Sequence, residues 1–330
     1  MKAVLVHTPG GPEALDYVDA PVPVPGAGDV LIRAAAFGVG QPDALIRRGA
    51  YKWMPPLPAN PGNDVAGIVE AVGADVADLK VGQKVLLSAR DLPQRGGCYA
   101  EYVAAPASAV HALADHVALE EAVCLANYQV AFALLHEATG PKPPGSVLVI
   151  GAAGGVGSAL VQLAHLAGMR VIGTVSSPEK ADFARAMGAD EVIFYRSETV
   201  VDRVLELTAG RGVDLVLDHV CGPEFASYLK VLDKWGTLLS YNAFAGLPEV
   251  NLMGEMRKYV GKCPGVRCFS FHIYDDDRDS RRRMMREVIG MLESGAIRPA
   301  ISARFRLGDV RKAHAMLDSG AALGKIVMTP

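Results

Sequence analysis

The sequence has no apolar run approaching the length of a bilayer span, which excludes a transmembrane helix. It also lacks an excess of charge of either sign. With 33 Lys and Arg against 36 Asp and Glu, the formal net charge is −3, so no electrostatic footprint for nucleic acid or an acidic membrane is present. Cysteine is scarce. Cys98, Cys124, Cys221, Cys263 and Cys268 are an odd, scattered set of five, which excludes a disulfide framework. Met1 leads directly into the strand-like run Lys2 to Val6, without the pattern of a cleavable signal. These absences predict a cytoplasmic protein that binds neither nucleic acid nor membrane. Low-complexity segments and solenoid repeats are missing as well.

What is present suits two domains: 330 residues, half of them apolar. Residues 1–122 read as β-rich, with short runs such as Asp29 to Arg33, Val65 to Val69 and Lys84 to Leu87 between Pro, Gly and Asp turns. Pro21, Pro23 and Pro25 mark a connection or an edge. From Glu120 to Thr139 runs an alanine- and leucine-rich helical stretch, stopped by Gly140-Pro141 and Pro143-Pro144-Gly145.

From Ser146 to Tyr241 strands and helices alternate. Strands are expected at 147–150, 170–175, 191–194, 213–218 and 236–241, with helices at about 157–167, 178–187, 199–209 and 223–233. Ser177-Pro178 and Gly188 cap the second helix, and Pro223 opens the fourth. This alternation implies a parallel sheet with right-handed crossovers. One more strand is expected at 265–273, a helix at 282–293 and a closing strand at 325–328. The charge run from Asp275 to Arg283 reads as a solvated helix start, because its two signs largely cancel.

The most informative segment is Gly151 to Gly157, between the apolar run 147–150 and the small-residue helix that follows. A bound pyrophosphate requires that order. Glycines allow the turn and close backbone approach, and the helix N-terminus offers N–H groups with a positive dipole end. Ala153, Gly154, Gly155, Val156 and Gly157 are the expected contacts. The end of the second strand, Val175-Ser176-Ser177, carries no carboxylate for a ribose 2′-hydroxyl. Lys180 instead lies in the first turn of the next helix, against the helix dipole, where a 2′-phosphate would hold it. The cofactor expected is NADPH.

On these motifs the chain resembles the zinc-free quinone oxidoreductase (zeta-crystallin-like) branch of the medium-chain dehydrogenase/reductase superfamily, nearly end to end. Residues 38–43, with Ile46, Arg47, Gly49 and Tyr51, look like the family's first cleft loop. The stretch 61–73, the glycine turn with Gln162, and the closing 324–327 match further. The resemblance implies an α/β chain: a GroES-like β-rich catalytic domain built from both chain ends, and a Rossmann doubly wound parallel-sheet domain between them. The expected bounds are 1–122, 123–265 and 266–330. It also implies that Tyr195 joins Ser176 and Lys180 at the 2′-phosphate, that Lys325 belongs to the cofactor set, and that the protein is a homodimer through the cofactor domain. Departures are Gly40 for the family's asparagine and Leu45 for its first tyrosine.

Zinc-dependent relatives hold Cys at the position of Gly40 and His-Glu at Asn63-Asp64. Gly40 has no side-chain ligand and Asn63 is a poor one, so no metal is expected. Hydride transfer without zinc favours an acceptor activated by its own conjugation: a quinone, an enone or an alkenal. The expected activity is thus an NADPH-dependent reductase of such acceptors. The alternatives are an enoyl-thioester reductase, or a non-catalytic NADPH-binding redox sensor.

The candidate catalytic residues are Tyr51, as a donor to substrate oxygen or a cleft wall, and Asp43, as a general base or a loop acceptor. Gly40, Gln41, Trp53 and Tyr128, the last with Gln129, are expected to line the substrate cleft. Asn242, after the fifth strand, is a nicotinamide-ribose contact or a turn residue. Phe269 and Phe271, alternating on the late strand, are nicotinamide contacts, sheet core or a dimer seam. His219 and Cys221 read as core-edge residues.

Overall fold

The computed structural model describes residues 1–139 and 143–330. The Gly140-Pro141 stop lies outside the described residues. In chain order the strands are β1 (Lys2–Leu5), β2 (Asp16–Asp19), β3 (Asp29–Val39), β4 (Asp64–Val72), β5 (Lys84–Ser88), β6 (Tyr102–Pro106), β7 (Val110–Ala112) and β8 (Ser146–Val149). They continue with β9 (Arg170–Val175), β10 (Glu191–Phe194), β11 (Val213–Asp218), β12 (Leu232–Ser240), β13 (Gly265–Cys268), β14 (Ile301–Arg306) and β15 (Lys325–Thr329). The helices are α1 (Gln41–Arg47), α2 (Leu119–Ala122), α3 (Leu125–Phe132), α4 (Gly155–Leu166), α5 (Pro178–Ala186), α6 (Val200–Leu207), α7 (Leu252–Arg257), α8 (Arg278–Glu293) and α9 (Val310–Ser319).

The chain divides into two compact units, Met1–Ala126 with Arg278–Pro330, and Asn127–Asp277. The return to the first unit therefore starts at Arg278 rather than at residue 266. The reason is backbone pairing: β13 lies parallel to β12, with Thr237 opposite Gly265 and Ser240 opposite Cys268, so its ladder belongs to the second unit.

In the first unit β3 is central. The sheet runs β14-β15-β3-β4-β5-β7, and β6 also pairs with β3. Every second residue of its strands enters one core: Val30 and Ile32, Val85 and Leu87, Ile326 and Met328. That is the period of two of a pleated strand with one buried face. The segment holding Pro21, Pro23 and Pro25 has no regular structure. The charge run departs from expectation at one residue. Arg281 is buried, its guanidinium donating to Asp91 at 3.1 Å, with side chains 7% and 2% exposed. Arg278 and Arg282 donate to the Ser108 carbonyl. Asp276, Asp277, Arg278, Asp279 and Arg283 stay exposed at the start of α8, as expected of a solvated helix start.

In the second unit six parallel strands run β10-β9-β8-β11-β12-β13. Val147, Leu148 and Val149 are all fully buried, as a strand covered on both faces requires. Two expectations fail here. Residues 225–231 form a 3-10 helix rather than an α-helix over 223–233, because Leu232 already enters β12. The late strand stops at Cys268, not at residue 273. Phe269 N–H donates to Ser240 O at the end of β12, no ladder partner follows, and a 3-10 turn capped by Ser270 takes over at Phe271–Tyr274. Phe269 is buried and Phe271 half-buried, and neither continues an alternating edge.

Candidate active site

The glycine turn is built by contacts that tolerate no side chain. Gly151 has φ +73°, and a Cβ there would meet His219 Cε1 at 2.4 Å. A Cβ on Gly157 would meet Gly151 O at 2.2 Å. Gly151 N–H donates to Thr174 Oγ1, which ties the turn to β9. Gly154 is the N-cap of α4 and no side chain caps it, so the first-turn N–H groups face an open, positive helix end. Ala153 is buried beneath the turn, Gly155 and Val156 are half-buried, and Gly154 is exposed. The cradle fits a pyrophosphate: exposed backbone at its mouth and no Cβ at its closest approaches.

At the carboxyl ends of β9 and β10, Val175 lies opposite Phe194, and Tyr195 N–H donates to Val175 O. Parallel register thus brings Tyr195 beside Ser176. Ser177 caps α5, its Oγ accepting from the Lys180 N–H. Exposed Arg196, overlooked in the sequence, adds a second cation at this corner. Its adjacency to Tyr195 was the available signal.

The ends of β11 and β12 complete this unit's surface. Asp218 Oδ1 accepts from the Val220 and Cys221 N–H groups and shapes their turn, in which Cys221 has φ +59°. Asn242 is exposed and Ser240 Oγ donates to its carbonyl. His219 packs against Tyr241 and Phe244, at ring distances of 5.7 and 5.5 Å, and against Gly151. Burial lowers its pKa, so it props the turn as a neutral ring. Half-buried after β11, it keeps the core-edge place expected of it. Tyr128, expected in the cleft, is 2% exposed and its hydroxyl donates to Gln162 on α4 at 2.9 Å, a contact between packed helices. Gln129 is buried beside it.

In the first unit, Gly40 is the N-cap of α1 and half-buried Gln41 opens the helix. Asp43 sits one turn in, fully buried. Its Oδ2 accepts from Gly40 N–H at 2.8 Å, and Oδ1 from Asn63 Nδ2 at 2.7 Å and Gly62 N–H at 3.2 Å. Burial pushes its pKa up to about 6, against the Asn63 hydrogen bond and the charge of Lys325. Asp43 thereby holds two loops together. Beyond α1, half-buried Tyr51 and Trp53 meet edge-on at 5.6 Å.

Strand register brings in Lys325, which lies on β15 and not near the glycine turn in sequence. Ile326 opposes Val39, so Lys325 falls level with Gly40, and Asp64 on β4 opposes Gly38. Lys325 Nζ stands 3.5 Å from Asp64 Oδ2, while Ser88 Oγ donates to Asp64 Oδ1. This donor set does not fit zinc. Gly40 supplies no ligand, the Asn63 amide is committed to Asp43, and an ammonium already faces Asp64. Burial also raises the thiol pKa of Cys124 to about 12. Behind the site Arg47 donates to His314, whose ring meets the Tyr99 hydroxyl. No local pattern marks that group.

Residues 26–115 match the family model described as alcohol dehydrogenase GroES-like domain, and residues 155–262 match zinc-binding dehydrogenase. The chain is 36% identical to the quinone oxidoreductase of Pseudomonas aeruginosa, over 97% of each chain. It is 31% identical to the human quinone oxidoreductase, over 99% of this chain and 97% of that one. The Escherichia coli quinone oxidoreductase complexed with NADPH superposes with TM-score 0.88 at 29% identity, covering 100% of both. A 2-haloacrylate reductase superposes with TM-score 0.83 at 27% identity, covering 100% of this chain and 99% of that one.

Proposed function

The chain belongs to the quinone oxidoreductase family of the medium-chain dehydrogenases/reductases, and from that premise we propose that it is a zinc-independent, NADPH-dependent reductase of quinones and α,β-unsaturated carbonyls. One observation carries the cofactor: the cradle without Cβ atoms at Gly151 and Gly157 adjoins a strand end bearing Ser176, Lys180 and Tyr195 and no carboxylate. NADPH supplies a hydride. The first-turn N–H groups of α4 would hold its pyrophosphate, and Ser176, Lys180, Tyr195 and Arg196 its 2′-phosphate. Asn242, Phe269 and Phe271 would meet the nicotinamide ribose and ring.

The acceptor is assigned to the loop carrying Gly40, Gln41, Tyr51 and Trp53. Hydride added to the β-carbon of an enone leaves negative charge on the carbonyl oxygen, and the Tyr51 hydroxyl is the proposed donor to that oxygen. Asp43 positions this loop through Gly40 and Asn63. Oxidation of NADPH with a quinone, an enone and a crotonyl thioester tests the reading. Turnover with the first two supports it, preference for the thioester replaces it with an enoyl-thioester reductase, and NADPH binding without turnover replaces it with a redox sensor.

The same reading includes a cytoplasmic homodimer paired through the four-residue edge of β13. Sedimentation as a monomer at micromolar concentration would reject that assembly.

A further inference from the structure

We infer that Lys325 is a catalytic residue whose ammonium takes the substrate's carbonyl oxygen, an assignment that rests on the proposed reductase reading. The side chain runs across β3 in the room left by two glycines. A Cβ on Gly38 would meet Lys325 Cε at 2.8 Å, and one on Gly40 would lie 3.4 Å from Nζ. Lys325 is 5% exposed, and its ammonium has three N–H donors. Among the described residues those donors make no hydrogen bond, and the one ion-pair contact is Asp64 Oδ2 at 3.5 Å. Donors that the protein leaves unused are available to an acceptor oxygen that arrives beside them.

An acceptor oxygen could come from a carbonyl or from a cofactor phosphate. The surrounding charge favours the carbonyl. Asp64 faces Nζ, and Asp43 is close enough for its pKa to be pulled down by Lys325 and pushed up by Asp64. A phosphate would enter beside two carboxyl groups. A carbonyl enters neutral and gains a single charge only as it reacts, so its attraction to Nζ strengthens in the transition state. Hydride carries two electrons to the β-carbon, the C=C pair moves to form the enolate, Lys325 donates a hydrogen bond and keeps its proton, and water protonates the α-carbon.

The test uses Lys325→Met combined with Asp64→Asn, which removes both members of that ion pair, and circular dichroism to verify folding. The expected result is an enone kcat lowered about 100-fold or more, the scale of losing one oxyanion donor, with NADPH affinity within about threefold. A tenfold weaker NADPH affinity, or an unchanged kcat, overturns the assignment. A second arm needs no turnover. With NADP+ bound, 4-nitrophenol serves as an enolate-like probe, and its ionisation is followed by absorbance. The native protein is expected to ionise it about one pH unit or more below the double variant. Equal ionisation in both overturns the role of Lys325 whatever the native acceptor is. A native protein inert towards every acceptor, yet showing the shift, faults the reductase reading alone.

Discussion

The Asn63 amide donates to Asp43 Oδ1 at 2.7 Å with both side chains buried, joining the start of α1 to the residue that precedes β4. Burial raises the Asp43 pKa from 3.8 to about 6. Between those values the native state holds the proton more tightly than the unfolded chain does, so the contribution of Asp43 to stability falls as pH rises from about 4 to about 6. A shift of that size is worth on the order of 3 kcal/mol. Urea denaturation should show this decline in the native protein, and Asp43→Asn should lack it. An identical pH profile in both proteins would reject the coupling.

Asp91 behaves in the opposite sense. Burial pushes its pKa up, but the hydrogen bonds and charges of His111 and Arg281 outweigh it and hold the carboxyl below 3.8. Its stabilisation is present above the unfolded pKa and is lost as pH falls through the lower folded value. Arg281→Met strands a buried carboxylate and should cost about 3–5 kcal/mol. A loss below about 1 kcal/mol in urea denaturation would return the charge run to a solvated role.

Lys180→Glu should erase or invert a preference for NADPH over NADH of about tenfold or more, equal to about 1.4 kcal/mol per factor of ten. Titration of both coenzymes decides it. Equal affinities in the native protein would rule out the corner at Ser176 and Lys180.

Gly154 and Gly157 should separate folding from binding. Gly157→Ala places a Cβ 2.2 Å from a backbone oxygen, so it should lower stability by about 1–3 kcal/mol as well as weaken NADPH. At Gly154 the nearest atom to a Cβ is 3.6 Å away and φ is −75°, so Gly154→Ala should fold normally and weaken NADPH alone. Thermal melts with and without NADPH test both. Equal melting temperatures for native protein and Gly157→Ala would contradict the packing account.

Tyr51→Phe should lower kcat for an enone more than it raises KM, because the proposed hydrogen bond strengthens only as charge develops. Loss of one such donor costs roughly 2.7–4 kcal/mol. An unchanged kcat would leave Tyr51 as a wall beside Trp53.

The sequence by itself determined what neighbouring residues decide. Alternation predicted β8 to β12 within a few residues, and Gly151 to Gly157 announced the turn, because φ freedom, strand period and helix capping act over single turns. The bare strand end at Val175 and the cation at Lys180 were equally local. Tertiary structure decided which distant groups meet. Lys325 faces Asp64 through the register of three adjacent strands, and Arg47 reaches His314 across 267 residues. The late strand ended at Cys268 because its partner β12 ended at Ser240, although its own residues could have continued. Tyr128 looked available for substrate until α4 supplied Gln162. A side chain's chemistry is written in its type, but its partner depends on sheet register and helix packing, which no local pattern encodes.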